Sequence, residues 1–319
     1  MIQQPSQSKT PEHQQDPTWT TRPERGSAFM LRVMTWISLR LGRSAGRLVL
    51  HLITMYFLLF SRASRHASID YLRRVLGRKP NLLDRYKHIF TFASTIHDRI
   101  YLINDRYDLF DITVHNEQII HKVLTEGRGA FLVGAHLGSF EVIHAIGRRQ
   151  PNLRTTMVMF EENARKINAM LTAINPAIQQ DIIPLGHIDT MLKVHERLNE
   201  GGVLSILADR TLGDDKTLRA PFMGELAAFP TGPFRMAALL RRPVIFMTGL
   251  YLGANRYSIH FEQLADFSDI SVAERDTAIQ AAIDHYAALL EQYCRTAPYN
   301  WFNFFDFWRP TRLTKSPQP

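Results

Sequence analysis

The chain has 319 residues, 45% of them hydrophobic and 21% charged, so it is long enough to bury a core and too apolar to be disordered as a whole. Its single cysteine excludes an internal disulfide framework. The net charge of +8 comes from the N-terminal third: residues 1–100 carry 16 Lys and Arg against 6 Asp and Glu, and residues 101–319 carry 22 against 24. Positive charge beside apolar residues is typical of membrane docking, whereas a nucleic-acid enzyme spreads it around a cleft, so no nucleic-acid partner is predicted.

The N-terminal third divides into a tail and a helical segment. Residues 1–27 are rich in Gln, Pro, Ser and Thr and are predicted to be disordered. Residues 28–100 are predicted to form a basic and apolar helical segment; no acidic residue occurs from Gly26 to Ile69, and Leu48–Phe60 is almost entirely apolar. A spanning helix needs about 18–20 apolar residues, and a longer helix would carry arginines into the bilayer. We therefore predict a helix at the membrane surface, with a buried helix of the fold or a true span as the alternatives.

Strands and helices alternate over residues 101–312, which predicts one α/β domain followed by a short tail at 313–319. Strands are predicted at 110–116, 130–135, 154–160, 181–184, 203–208, 244–252 and 256–264. Helices are predicted at 117–126, 139–149, 163–174, 189–199, 231–242 and 272–296. Continuous apolar strands separated by amphipathic helices indicate a single three-layer domain, with a mostly parallel mixed sheet flanked by helices. The last two strands are predicted to form a hairpin.

The stretch GAHLGSFE places chemistry at the end of an apolar strand. His136 follows the strand, Gly138 and Ser139 open a helix with Ser139 as its cap, and Glu141 lies in the first turn. Sites in parallel α/β sheets gather at the carboxyl ends of strands. A turn between the two residues would bring the carboxylate of Glu141 back to one imidazole nitrogen of His136. That contact fixes the tautomer and leaves the other nitrogen as a general base.

This stretch resembles the His-(four residues)-acid signature of the glycerolipid acyltransferase superfamily. Glutamate as the acid, after Gly-x-Gly and an apolar strand, makes it similar to the bacterial lipid A late-acyltransferase branch. The resemblance continues at Arg165, at the strand ending in Asp209 and Arg210, and at PFMGELAAFPTGP (221–233). The C-terminal APYNWFNFFDFW (297–308) departs from the usual ending of that branch. It looks more like a subgroup of predicted acyltransferases associated with bacterial pigment or unusual-lipid pathways.

The resemblance implies transfer of a fatty acyl group from an acyl carrier protein or coenzyme A thioester to a hydroxyl of a lipid acceptor. His136 is then the general base and Glu141 its orienting partner, with no metal and no further cofactor. Backbone N–H groups of Leu137, Gly138 and Ser139 are expected to contact the substrate as oxyanion donors. The expected location is the cytoplasmic face of the inner membrane.

Other residues of the resemblance have a structural alternative. Arg165, Asp209 and Arg210 are expected either to bind substrate or to form structural ion pairs. Thr231 is expected either to contact substrate or to cap the helix that follows it. The aromatic run 301–308 would fit an acyl-chain groove, although packing in the core is favoured.

Several other enzyme classes are excluded by missing motifs. The sequence has no HExxH metallohydrolase signature, and Glu141 with His144 has no second Glu-x-x-His to complete a di-iron site. A P-loop and a G-x-G-x-x-G loop are also missing. Two rival functions remain open: a lipid hydrolase in which His136 activates water, and a non-catalytic membrane lipid-binding protein of the same fold.

Overall fold

The computed structural model describes residues 28–150, 153–175, 181–211 and 215–308, and the two predicted tails lie outside the described residues. The helices are α1 (Ala28–Phe60), α2 (Arg62–Leu76), α3 (Leu82–Ile103), α4 (Glu117–Glu126), α5 (Phe140–Arg148), α6 (Glu161–Ile174), α7 (Thr190–Asn199), α8 (Gly232–Leu239) and α9 (Arg275–Thr296). The strands are β1 (Asp111–His115), β2 (Ala130–Gly134), β3 (Thr155–Phe160), β4 (Ile182–Leu185), β5 (Val203–Leu207), β6 (Thr217–Phe222), β7 (Glu225–Pro230), β8 (Pro243–Tyr251) and β9 (Arg256–Asp266).

Seven strands form one sheet in the order β1-β9-β8-β2-β5-β3-β4. The neighbours from β8 to β4 are all parallel, and the predicted hairpin of β8 and β9 is antiparallel. β1 runs parallel to β9 at the edge. The predicted mixed, mostly parallel sheet is therefore confirmed.

Helices cover both faces of this sheet, which confirms the predicted layers. Successive residues of β2 point to opposite faces: Phe131 and Val133 pack in the core beneath α7, α8 and α9, whereas Ala130 and Leu132 pack beneath α4 and α5. Because every residue of β2 is buried, the strand is a continuous apolar run, as is usual for the centre of a parallel sheet.

The strands β6 and β7 form a separate antiparallel hairpin that the sequence did not predict. The segment 221–233, where the resemblance to the acyltransferases continues, holds a tight turn at Met223 and Gly224. Its strands are short and rich in Ala and Pro, so a period of two is hard to recognise in the sequence.

The predicted N-terminal helical segment consists of the three helices α1, α2 and α3. α1 lies antiparallel along α3, so that Ser38 near its start contacts His97 and Tyr101, and His51 further along contacts Tyr86. A bend interrupts α1 at Gly42, whose φ of 82° is in the left-handed region.

Two arginines of α1 face the protein and not a membrane surface. Arg43 donates two hydrogen bonds to the carboxylate of Asp98 on α3, from Nε at 2.7 Å and from Nη2 at 2.8 Å. Tyr257 donates a third bond to the same carboxylate at 2.9 Å. Arg47 donates to the carbonyl of Ala254 at 3.2 Å. The charges of these two arginines therefore fasten α1 to the domain, and membrane docking by the N-terminal segment stays a prediction.

The opposite side of α1 is apolar and exposed. Its large exposed residues are Trp36, Leu39, Leu41, Leu48, Leu52, Met55, Tyr56, Leu59 and Phe60. Within the described residues, Val33–Phe60 is the one helical stretch long and apolar enough to cross a membrane. Length and composition alone give weak evidence for a span, since a signal sequence or a core helix passes the same test.

Candidate active site

The fold brings His136 and Asp209 to one edge of the sheet. β2 and β5 pair in parallel and end side by side, with Gly134 opposite Leu207. His136 and Asp209 each follow two residues later. Loops leave the carboxyl ends of parallel strands at this edge, which is why functional groups collect there in open α/β sheets.

Asp209 holds His136 through two hydrogen bonds. Its Oδ1 lies 2.8 Å from the imidazole Nδ1, and its Oδ2 accepts the backbone N–H of His136 at 2.9 Å. The indole Nε1 of Trp301 donates to the same Oδ2 at 2.9 Å. Because an ionised carboxylate only accepts hydrogen bonds, Nδ1 carries a proton and Nε2 keeps its lone pair. The side chain of Asp209 is 1% exposed and that of His136 is 30% exposed, so the imidazole is open to a substrate.

The surroundings of His136 favour a neutral imidazole. Burial and then the positive charge of Arg210 lower the pKa of His136 below its ordinary value, while Asp209 acts in the opposite direction. Burial on its own would raise the pKa of Asp209, but the contacts with His136 and the charge of Arg210 lower it instead. A neutral imidazole beside an ionised carboxylate is the state that a general base requires.

Glu141 lies in the first turn of α5, as predicted, but it bonds a different partner. Its Oε1 accepts from Arg148 Nη1 at 3.0 Å, and Arg148 also donates to the carbonyl of Leu102 on α3 at 3.0 Å. Residues seven apart share one face of a helix, so Arg148 is well placed to reach Glu141. The structure therefore corrects the expected partner of the imidazole: Asp209, and not Glu141, bonds Nδ1 of His136. Glu141 and Arg148 tie α5 to α3 beside the site.

The loop between β2 and α5 is held by its own backbone. The N–H of Gly138 donates to the carbonyl of Asn300 at 2.8 Å, and the N–H of Ser139 donates to that of Gly249 at 2.7 Å. Two of the three expected oxyanion donors are thus already bonded, and the side chain of Leu137, the third residue, is buried in the core. The expected cap is confirmed, since Ser139 Oγ accepts from the N–H of Val142 at 3.3 Å.

Arg210, Arg165 and Asp209 were also predicted from the resemblance, and the structure gives each a different environment. Arg210 donates to the carbonyl of Phe302 at 3.2 Å and lies over the ring of Phe305. Arg165 is exposed on α6, which begins where β3 ends at the same sheet edge. Substrate roles for these two arginines stay predictions. Of the two expectations for Asp209, the structure shows a structural contact, with His136 as the partner, and a substrate role stays a prediction.

Thr231 is buried at the start of α8 but makes no side-chain cap. Its hydroxyl donates to the carbonyl of Lys216 at 3.1 Å, and its backbone N–H donates to the same oxygen at 2.9 Å. These bonds close the open end of the β6–β7 hairpin. The cap that was considered for Thr231 is not formed, and the substrate contact stays a prediction.

The sequence did not reveal the part that the C-terminal segment plays in the site. Asn300, Trp301 and Phe302 all bond the loop of His136 or its partner Asp209. The aromatic run was noticed, and its packing is confirmed for Trp301 and Phe302, which are buried. No spacing rule connects a residue near 300 with one near 136, so only the fold discloses the contact.

The comparison with known proteins agrees with this geometry. The sequence matches the family of bacterial lipid A biosynthesis acyltransferases over residues 21–310, which includes every helix and strand from α1 to α9. A search of curated proteins found no match. A match over this share of the chain establishes the family. This chain therefore belongs to the bacterial lipid A biosynthesis acyltransferase family.

Proposed function

We propose that this protein transfers a fatty acyl group from a thioester of acyl carrier protein or coenzyme A to a hydroxyl of a lipid acceptor, with His136 as general base and Asp209 as its positioning residue. Acyl transfer to a lipid follows from the family. The observation that supports these roles is the bond between Asp209 and Nδ1, which leaves Nε2 of a partly exposed imidazole free to accept a proton.

The reaction needs one proton acceptor and one proton donor, and His136 serves as both. Nε2 takes the proton of the acceptor hydroxyl as its oxygen attacks the carbonyl carbon of the thioester. When the tetrahedral intermediate collapses, the carbon–sulfur bond breaks and the same Nε2 returns the proton to the departing thiolate. Asp209 stabilises the imidazolium that exists between the two steps. The products are an acylated lipid and a free thiol.

Positive charge supports the oxyanion of the intermediate in this proposal. Arg210 lies in the loop after β5 and Arg99 lies on α3. The positive charge of each lowers the pKa of His136. A positive field that disfavours the imidazolium also stabilises negative charge on the carbonyl oxygen of the intermediate. Glu141 stays bonded to Arg148 and holds the first turn of α5 in place.

The apolar side of α1 is proposed to contact the bilayer. Lipid acceptors reside in membranes, and an exposed apolar face on a helix otherwise tied to its domain fits a lipid environment better than water. We place the protein at the cytoplasmic face of the inner membrane because acyl thioester donors are cytoplasmic molecules.

The test is transfer of radiolabelled acyl groups from acyl carrier protein or coenzyme A into bacterial lipid that contains lipid A precursors. Wild type is compared with His136→Ala and with His195→Ala, a control at an exposed histidine of α7. We expect His136→Ala to lose about 10²–10⁴-fold in rate and His195→Ala to match wild type. The two donors, supplied separately, identify the carrier.

Each other outcome has a definite meaning. Equal labelling by wild type and His136→Ala removes His136 as the base. Labelled free fatty acid in place of labelled lipid indicates that water is the acceptor, which is the hydrolase alternative. The acid limb of kcat/KM should lie below the ordinary histidine pKa of about 6.5, because the pKa of His136 is lowered.

A further inference from the structure

The C-terminal segment after α9 forms one wall of the catalytic loop. The N–H of Phe302 donates to the carbonyl of His136 at 2.7 Å, and the carbonyl of Asn300 accepts the N–H of Gly138 at 2.8 Å. These two bonds pair Leu137 with Trp301 in an antiparallel bridge. The catalytic loop is therefore bonded on both sides, to this segment and to β8 at Gly249.

Trp301 lies at the centre of the segment and is held in a fixed place. Its side chain is fully buried, at 0% exposure, and its ring packs edge-on against Tyr71 and Phe222. The carbonyl of Trp301 lies 2.8 Å from Nε2 of the buried His88, whose Nδ1 lies 2.8 Å from the hydroxyl of Ser68. The indole thus has no freedom to rotate, and its N–H is directed at Oδ2 of Asp209 at 2.9 Å.

We propose that Trp301 is a positioning residue of the acyl-transfer site, whose indole N–H fixes the carboxylate of Asp209 and withdraws part of its negative charge from the imidazole of His136. This inference rests on the proposed role of His136 and assigns a function to the aromatic ending of the chain. Trp301 does not touch the reacting atoms and acts only through Asp209.

The charge argument follows from the hydrogen bonds that Asp209 accepts. Oδ2 receives two N–H donors, from the His136 backbone and from Trp301, while Oδ1 faces Nδ1. Each donor draws electron density from the carboxylate and makes it a weaker base. If the indole N–H is removed, the carboxylate holds the Nδ1 proton more tightly and stabilises the imidazolium more strongly. The pKa of His136 should then rise.

The charged groups that face His136 are few and stay unchanged in this comparison. Asp209 and Arg210 come from the loop after β5, and Arg99 comes from α3. Tyr286 of α9 interacts electrostatically with Asp209. Burial and this interaction raise the pKa of the Tyr286 hydroxyl, so Tyr286 stays neutral over the pH range of interest. A shift measured at His136 therefore reports the indole contact.

The experiment replaces the N–H without changing the shape of the side chain. Trp301→β-(3-benzothienyl)alanine keeps a bicyclic ring and has sulfur in place of the N–H. The matched control is the same replacement at Trp308, whose Nε1 donates to the carbonyl of Phe222 at 3.4 Å, away from Asp209. The readout is the titration midpoint of the His136 imidazole by NMR with ¹³C-labelled histidine in the full chain, assigned with His136→Gln.

We expect the midpoint of His136 to rise by about half a pH unit or more in the Trp301 variant and to stay at the wild-type value in the Trp308 variant. The acid limb of kcat/KM should move by the same amount while KM for the thioester is unchanged. A midpoint that is unchanged or lower in the folded Trp301 variant overturns the proposal. The NMR result does not depend on turnover, so a failure of the proposed function would be seen separately, as activity that survives His136→Ala.

Discussion

The sheet interior and the contact between α1 and α3 are both buried, but they are built from different kinds of residue. In the sheet, β2 contributes only Ala, Phe, Leu, Val and Gly to the interior. Most of the described buried residues of α1 are small or polar, namely Thr35, Ser38, Gly46 and Thr54, beside Leu50 and Leu58. Most of the large apolar residues of α1 are exposed. We call this contact the α1–α3 seam.

The difference supports the proposed contact of α1 with the bilayer. A helix that packs on a protein in water hides its apolar face, as β2 and its helices do. A helix bounded by lipid gains nothing by hiding apolar residues, and small or polar residues let its backbone approach a neighbour closely. Gly46 shows that approach, because a Cβ there would overlap the ring of His97. The α1–α3 seam therefore resembles the contact of a helix bounded by lipid, whereas the sheet and its helices resemble a protein core in water.

The largest expected effect comes from breaking the ion pair in the seam. Arg43→Leu leaves Asp98, which has no exposed side-chain surface, without its bidentate partner. We expect the free energy of unfolding at pH 7 to fall by about 3–5 kcal/mol. Arg40→Leu, at an exposed position of the same helix, should change it by less than about 0.5 kcal/mol. Denaturant unfolding in detergent measures both, and equal losses would mean that the charge contributes nothing specific.

The effect of Arg43→Leu should also depend on pH. Burial raises the pKa of Asp98, but the neighbouring His97 and the bonds from Arg43 lower it overall below the ordinary value. The pair therefore contributes stability above the unfolded carboxyl pKa of about 3.9 and loses it as pH falls through the folded pKa. In the variant, burial is opposed only by the contacts with His97 and Tyr257, so the folded pKa of Asp98 is higher than in wild type and protonation costs the folded state less. The difference between the two proteins should shrink as pH is lowered from 7 toward 4.

The second prediction concerns the sheet side, at the loop that holds His136. Gly138 has φ 71°, and a Cβ there would overlap the carbonyl oxygen of Gly249. We expect Gly138→Ala to cost about 2–3 kcal/mol and to slow acyl transfer at least about tenfold, because His136 must move with the loop. Gly127→Ala has a similar φ of 65° with open space around it, and should cost about 1 kcal/mol without loss of rate. Equal effects would show that strain alone, and not the contact with Gly249, sets the loop.

The third prediction tests the outward face of α1. Leu48→Ser with Leu52→Ser should reduce partitioning onto phospholipid vesicles by about 10- to 100-fold and leave thermal unfolding unchanged, since these side chains contact no core. Leu226→Ser with Leu239→Ser, two exposed leucines outside α1, is the control and should not alter partitioning. Unchanged partitioning of the first variant would contradict a lipid-facing role for this side of α1.

Much of the α/β domain could be predicted because its signals are local. Helix α4 agrees with its predicted bounds, and the central strands are within a residue or two. His136 was placed at a strand tip and Ser139 at a helix cap from residue order alone, and both placements are confirmed. Long apolar runs and helix caps are formed by residues that are close in the sequence, so they can be predicted from it.

The errors concern partners that are distant in the sequence. His136 and Asp209 are 73 residues apart, and only the parallel pairing of β2 with β5 brings them together. Glu141 was the nearer carboxylate in the sequence, yet the turn of α5 directs it to Arg148. The positive charge of the N-terminal third was interpreted as a sign of membrane docking, yet Arg43 bonds Asp98, which is 55 residues away. The sign of a charge is visible in a sequence, but its partner is decided by the fold.

The last prediction compares one serine from each region. Ser139→Ala removes a cap from α5 whose bond to the N–H of Val142 is long, at 3.3 Å, so the expected cost is about 1 kcal/mol. In the seam, Ser38 is fully buried and its hydroxyl lies 3.0 Å from Nε2 of His97. Ser38→Ala leaves that ring nitrogen without this partner, and the expected cost is larger, up to about 3 kcal/mol. Denaturant unfolding of both variants in the same detergent measures which of them loses more free energy of unfolding. If Ser139→Ala costs more, the buried hydroxyl of Ser38 contributes little to the stability of the seam.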